Sequence, residues 1–418
     1  MPQLKKAIVL VGIIFLFLLI TVLRRPDAIT YPQFHAEDGV FWYTEAYNAT
    51  NPITPFLIPK QKYFQTISRV GASASMFFDI SHAPLIFNSL AIIIQILPAV
   101  FFLSKRFERI VPKTWQRFLI GTLYLVLPAT HETHVNLTNA MWRLALLMFL
   151  IIVATPPKKT WQKFSDGFLL SIAGLSGPFV FFAFPVALVH AYLKSFRERI
   201  SNLIIICVAF LIQAYSFLFI ISDSMRLKVS LGAGLLNFFK ILGLSVFING
   251  LIGLDNKKYI LDLTLWKNGK LPVIVSLIGI GLLMYVFWKA KNELRLFIIF
   301  AFLIFGASLI TPQVSSTKPQ WEAMASGGGV NRYYFFPVVA WVFSLTWLFF
   351  KGESKIMKSI AGLLLICLLL IGIPADFIWK PYKDYKFQEQ VTKFKQLNPG
   401  ESLTFKIYPN WEMPLVRK

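Results

Sequence analysis

Ala7-Ile8-Val9-Leu10-Val11-Gly12-Ile13-Ile14-Phe15-Leu16-Phe17-Leu18-Leu19-Ile20-Thr21-Val22-Leu23 is an apolar run bounded by Lys5-Lys6 and by Arg24-Arg25-Pro26. A helix rises ~1.5 Å per residue, so about 20 such residues cross the ~30 Å hydrocarbon core of a bilayer. The run has the shape of a signal sequence, but no small-x-small cleavage site follows, so it is expected to remain as an uncleaved first span. Beyond it comes His35-Ala36-Glu37-Asp38-Gly39-Val40-Phe41-Trp42, with two adjacent carboxylates. A span followed by an acidic loop is the order that acid–base chemistry at the far face of a membrane requires.

The rest of the chain repeats the apolar theme. Of 418 residues, 56% are hydrophobic and 15% charged, against about 25% charged in an average soluble domain. The apolar residues come in runs near membrane length rather than in alternation, which predicts a polytopic α-helical protein and not a β-barrel. The net charge of +22 does not point to nucleic acid. Much of it sits in short basic clusters between apolar runs, the pattern that orients spans and meets anionic lipid. Cys207 and Cys367 both lie inside apolar runs, so they predict neither a disulfide framework nor a zinc site.

Those clusters fix the threading. They are Lys5-Lys6, Lys105-Arg106 through Arg117, Lys158-Lys159 with Lys163, Lys194 to Arg199, Lys289 to Arg295, and Lys351 to Lys358. Placing all six on the cytoplasmic side leaves an even number of crossings between each neighbouring pair. Eleven spans follow, near 7–23, 84–103, 117–130, 142–155, 166–177, 179–193, 200–221, 271–288, 295–311, 334–350 and 357–375. The chain then divides into a transmembrane domain, 1–375, and an extracytoplasmic tail, 376–418. Ser176-Gly177-Pro178 reads as a tight outer turn. The apolar stretch Phe238 to Leu254 reads either as an interfacial helix or as part of a re-entrant pair. Residues 24–83, 131–141, 222–270, 312–333 and 376–418 fall outside, the cytoplasmic loops are short, and the chemistry is therefore expected outside.

Three external motifs carry it. Glu37 and Asp38 precede the aromatic-rich segment Val40 to Tyr47, which reads as an interfacial helix. An acid at such a helix start stays ionised. It can take a proton from a sugar hydroxyl, help hold a divalent cation, or simply cap the helix. Thr130-His131-Glu132-Thr133-His134-Val135-Asn136 comes second, followed by Asn139, Trp142 and Arg143. It lacks the four-residue histidine spacing of zinc proteases, and reads as a solvated loop, a substrate-binding loop or a weak metal site. The third is Ser326-Gly327-Gly328-Gly329-Val330-Asn331-Arg332-Tyr333-Tyr334, which is not a P-loop because no Gly-Lys-Ser/Thr follows. It delivers Arg332 to the mouth of a span, where a guanidinium can bind phosphate bidentately or act as a snorkelling anchor. Arg69, in an otherwise small or apolar segment, is expected to reach lipid phosphate. The tail is too short for a large core of its own and is expected to fold back over the outer loops, with Trp411 either stacking on sugar or packing.

On these residues the chain resembles the GT-C glycosyltransferases, polytopic enzymes that use lipid-phosphate-linked sugars. The resemblance rests on Glu37-Asp38 in the first external loop, on Glu132, Asn136, Asn139 and Trp142 in the second, and on Arg332-Tyr333 before a late span. It implies an all-α, GT-C-like membrane protein of the cytoplasmic (inner) membrane. The donor would be a polyprenyl-phosphate sugar and the acceptor a glycan or lipid-linked molecule. Glu37 or Asp38 would be the base in an inverting transfer, with a divalent cation, magnesium or manganese, as an optional cofactor. His35, Glu132, His134, Asn136, Asn139, Trp142, Arg332, Tyr333 and Trp411 would bind substrate. The alternatives are a transporter or flippase of lipid-linked glycans, which would place ionisable groups in mid-membrane, and a polymerase relying on external arginines.

Overall fold

The computed structural model describes residues 2–51, 53–220, 229–327 and 330–418. Each of the eleven apolar segments is helical. We label them α1 (Pro2–Arg24), α2 (Ala83–Phe102), α3 (Thr114–Val126), α4 (Ala140–Val153), α5 (Thr160–Gly174), α6 (Val180–Lys194) and α7 (Phe196–Phe219). The later ones are α8 (Lys270–Lys289), α9 (Asn292–Ile310), α10 (Phe335–Lys351) and α11 (Lys355–Cys367), which continues through a π-helical turn to Asp376. Among the described residues eight helical stretches are long and apolar enough to cross a membrane, and α4 and α6 are shorter apolar helices. Their outward faces carry large apolar side chains, as lipid contact requires, while α4 is buried almost throughout.

Contacts between the connecting loops sort the helix ends onto two faces. On one face the Arg106 guanidinium pairs with Asp166 at 2.7 Å, and Lys194 pairs with Glu293 at 2.9 Å. Arg199 donates to the carbonyls of Ile152 and Ala154, and Lys291 donates to that of Arg109. Lys289 pairs with Glu353. Five of the six basic clusters therefore meet on a single face, as the charge pattern predicts. On the opposite face Trp379 N–H donates to Arg24 O, Thr66 N–H to Leu175 O and Gly177 N–H to Phe64 O. The first loop and the tail share that face.

The segment Leu235–Ile252, which the sequence leaves open between two readings, enters and leaves on the face opposite the basic one. Its approach is tied down by Trp321 N–H to Leu231 O, and its exit by Leu254 N–H to Asp376. Between them it packs across α8 and α10, and a Cβ on Gly250 would meet Val338 and Trp341 at 3.4 and 3.5 Å. It is helical with a π-helical middle, Leu242–Ile248. Residues 222–228 of the 222–270 external loop, with residue 221 before them, lie outside the described residues.

Close backbone approach fixes this segment against α11. A Cβ on Gly372 would stand 2.2 Å from Leu251 O, a backbone atom that cannot swing away. Gly372→Ala is therefore expected to lower the melting temperature of the detergent-solubilised protein. Gly281→Ala, where a Cβ meets nothing within 4 Å, is expected to leave it unchanged or raise it slightly, because alanine favours helix.

The tail adds two short strands to an otherwise helical chain. Strands β1 (Ser402–Ile407) and β2 (Trp411–Val416) form an antiparallel hairpin. Their inward side chains Phe405, Ile407, Met413 and Leu415 are fully buried. Beside them lies helix α12 (Phe387–Lys395), whose Phe387 and Phe394 pack on Phe405. The hairpin folds back over the first loop: Ala36 N–H donates to Tyr408 O at 2.7 Å, and Gly39 sits under Ile407 and Met413.

Candidate functional site

The acidic pair divides into two different environments. Asp38 opens a π-helical turn, Asp38–Tyr43, that continues as helix to Asn48, so the segment is helical as expected. Its side chain does not cap that helix. One carboxylate oxygen accepts from Leu137 N–H at 3.0 Å and the other from Thr138 N–H at 2.8 Å. Asp38 is 1% exposed and clamps the second external loop to the first. Burial pushes its pKa up to about 8, opposed by the two backbone donors. Glu37 is half-buried, and among the described residues its carboxylate accepts only from its own backbone N–H. Burial raises its pKa above the ordinary range. Arg332 pulls it back down, and Glu132 pushes it up.

The second and third motifs meet at that point. Glu132 takes both the Arg332 guanidinium and, at 3.0 Å, the Arg332 N–H. Asn331 hydrogen-bonds the His131 ring at 3.2 Å. The Arg332 guanidinium lies 4.9 Å from the centre of the Tyr333 ring, and the Tyr333 hydroxyl accepts from Gln313 N–H. Tyr63 joins the group. Its hydroxyl, pushed up to about 12 by burial, is within electrostatic reach of Arg332, Glu37 and Tyr333. His35 is half-buried, its ring beside Tyr382 and Tyr408. Burial, then Arg25 and Arg332, lower its pKa to about 3, so it stays neutral. Glu37, Tyr63, His131, Glu132, Arg332 and Tyr333 thus form one half-buried polar group facing outward. Gly328 and Gly329 lie outside the described residues.

Several expected substrate contacts are corrected. His134 is fully buried. Its Nδ1 is bonded by Gln95 Nε2 at 2.6 Å and its Nε2 lies 2.9 Å from Thr21 O, so the neutral ring pins the loop to α1 and α2. Asn136 donates to Glu132 O and accepts from Asn139 N–H, and Asn139 donates to Glu132 O. These amides shape the turn that presents Glu132. Trp142 is 4% exposed and packed against Phe179 and Phe336. Trp411 packs edge-on against Phe41 in the tail hairpin but stays 37% exposed, so its expected role is not among those corrected. Arg69 does not reach lipid: it is buried, paired with Glu45 at 2.5 Å and stacked over Trp42. Trp42 in turn donates to Thr138 Oγ1.

The chain's own backbone is held in unusual conformations beside the site. Ala36 has φ 41° and Val135 has φ 48°, a left-handed region costly for a β-branched residue and one that clusters at functional sites. Arg25 helps impose it, donating to Val135 O at 2.8 Å while stacking 3.7 Å over Tyr382. Arg24 donates to Leu127 O at 2.9 Å and stacks over Trp379. Asp376 accepts from Ala129 N–H at 2.8 Å. Buried arginines next to a span end are the sequence signal for these ties.

Magnesium keeps several waters and is held by one or two carboxylates together with substrate phosphates. Here both Glu132 oxygens are on Arg332 and both Asp38 oxygens are on backbone N–H groups, which leaves Glu37 as the carboxylate of this group that would hold one. Among the described residues no group of three or more His, Cys, Asp or Glu side chains is placed to hold a metal. Compared with protein-family models, with curated proteins and with solved structures, the chain matches none.

Proposed function

We propose that this multi-pass protein is a GT-C-type glycosyltransferase, moving a sugar from a polyprenyl-phosphate donor to a glycan or lipid-linked acceptor. The observation that supports this reading is the half-buried Glu37 carboxylate, bonded only to its own backbone N–H among the described residues, raised in pKa, and within electrostatic reach of Arg332. A base with a raised pKa beside a cation able to bind phosphate is the pairing that inverting transfer from a phosphate leaving group needs. Glu37 takes the proton of the acceptor hydroxyl. That oxygen bonds to the anomeric carbon, the bond from that carbon to the phosphate oxygen breaks, and the polyprenyl phosphate leaves with the electron pair. Arg332 balances the charge that develops on it. Asp38 acts as a positioning residue through the 137–138 backbone.

In this reading the basic face is cytoplasmic by the positive-inside rule. The eleven spans put the N-terminus inside, and the site and tail outside the cytoplasmic membrane. Vesicles of known orientation test the activity. With the site face outward, added short-chain polyprenyl-phosphate sugar is expected to be converted to free polyprenyl phosphate. A transporter would instead move the lipid across intact, and recovery of unchanged donor in the opposite leaflet would replace this reading.

The pH dependence follows from the charges around Glu37. The base must be ionised, so activity is lost as pH falls through its folded pKa. The acid limb of kcat/KM is expected above the usual carboxylate range. Glu132→Gln removes a like charge and should move that limb down, whereas Arg332→Ala should move it up. A pH–rate profile of each variant checks both signs.

A further inference from the structure

We propose that a cavity at the basic face holds an acyl chain of one anionic phospholipid, with the lipid phosphate at its lysine-rich mouth. The cavity has a volume of about 380 Å³ and lies among the basic-face ends of α2, α3, α4, α9 and α10. That is within the ~300–1,000 Å³ of ligand sites. None of the reaction-site residues lines it. Its walls are apolar and reach inward to Leu146 and Phe343. Leu146 stands seven residues from the end of α4 and Phe343 eight from the end of α10, a depth of roughly 10–12 Å. Such a depth suits a length of hydrocarbon chain.

The mouth differs from the walls. Lys289, Lys291 and Lys351 stand there with Glu293 and Glu353. Each carboxylate already has a lysine: Glu293 has Lys194 and Glu353 has Lys289, both at 2.9 Å. Lys291 donates to a backbone carbonyl, which leaves its charge uncompensated, and Lys351 has no carboxylate partner among the described residues. Two positive charges therefore remain for an anion. Gln116 gives a second, independent indication. It lines the cavity, is only 7% exposed, and its carboxamide has no hydrogen-bond partner among the described residues. Its amide is open to the cavity, and a lipid ester or glycerol oxygen would accept from it. Trp347 and Phe350 line the same site, and Trp115 packs on Phe350. Aromatic side chains of this kind belong at headgroup level. An apolar depth, a cationic mouth and an open amide between them match one amphiphile rather than a free anion.

Native mass spectrometry of the purified full chain tests this, with phosphatidylglycerol, phosphatidylcholine and inorganic phosphate as the probes. One phosphatidylglycerol is expected to be retained in preference to phosphatidylcholine, and inorganic phosphate should not displace it. The double variant Lys291→Ala with Lys351→Ala, on the surface and expected to fold, should weaken phosphatidylglycerol retention by about 30-fold, from about fivefold per lysine. Leu146→Trp should fill the cavity and abolish retention. Gln116→Leu should weaken it without altering charge. Equal retention of the two lipids, displacement by inorganic phosphate, or retention unchanged by the lysine and glutamine variants would overturn the proposal.

Discussion

Glu37→Gln is expected to abolish sugar transfer while the protein keeps its fold. Loss of a general base typically costs ~10²–10⁴-fold in rate. The Glu37 carboxylate is bonded to its own backbone N–H, which the amide oxygen can still accept, so the melting temperature should hold. Asp38→Asn should behave differently. Its carboxylate accepts two backbone N–H groups, and an amide can face only one of them with an oxygen. The other N–H is left buried against an NH₂ group, a loss of roughly 1–3 kcal/mol. That variant should lose stability along with activity. Measuring turnover and melting temperature together separates the two residues. Near-normal turnover of Glu37→Gln would remove the base from the account.

Arg332→Ala should produce the second large effect, a fall of about 10²–10³-fold in kcat, the scale seen on removing one preorganised charge-stabilising donor. Donor affinity should fall with it. Arg332→Lys should lie between the alanine variant and the native protein, because lysine keeps the charge but loses the planar fork. Glu132 holds the guanidinium in the ligand-free protein, so donor phosphate must compete with that carboxylate. Glu132→Gln weakens the competitor and should tighten binding of polyprenyl phosphate. A snorkelling anchor would accept lysine without loss, so equal activity of Arg332→Lys and native protein would return the arginine to a structural role.

The helices and the sorting of the loops onto two faces were legible because both depend on local signals, namely apolar run length and the position of basic clusters. The side of the bundle that carries Glu37, Glu132 and Arg332 was legible for the same reason. What each side chain does there was not. Asp38 and Glu37 are neighbours in sequence, yet one is turned inward onto residues 137–138 and the other is left open. His131 and His134 differ in the same way, and nothing local distinguishes them. In the sequence Arg24 and Arg25 only bound the first span. In the fold they are buried and tie together the end of α1, residues 125–135 and the tail. Such contacts span more than a hundred positions and leave no periodic trace. The hairpin did leave one, in the alternation Leu403-Thr404-Phe405-Lys406-Ile407, a strand pattern inside an otherwise helical chain.

The most direct measurement is a cryo-electron microscopy reconstruction of the purified protein with polyprenyl phosphate. The account predicts phosphate density against the Arg332 guanidinium, the Glu132 side chain moved off it, and Glu37 facing the space an acceptor hydroxyl would enter. An intact Glu132–Arg332 pair, with the lipid phosphate bound elsewhere on the molecule, would contradict it.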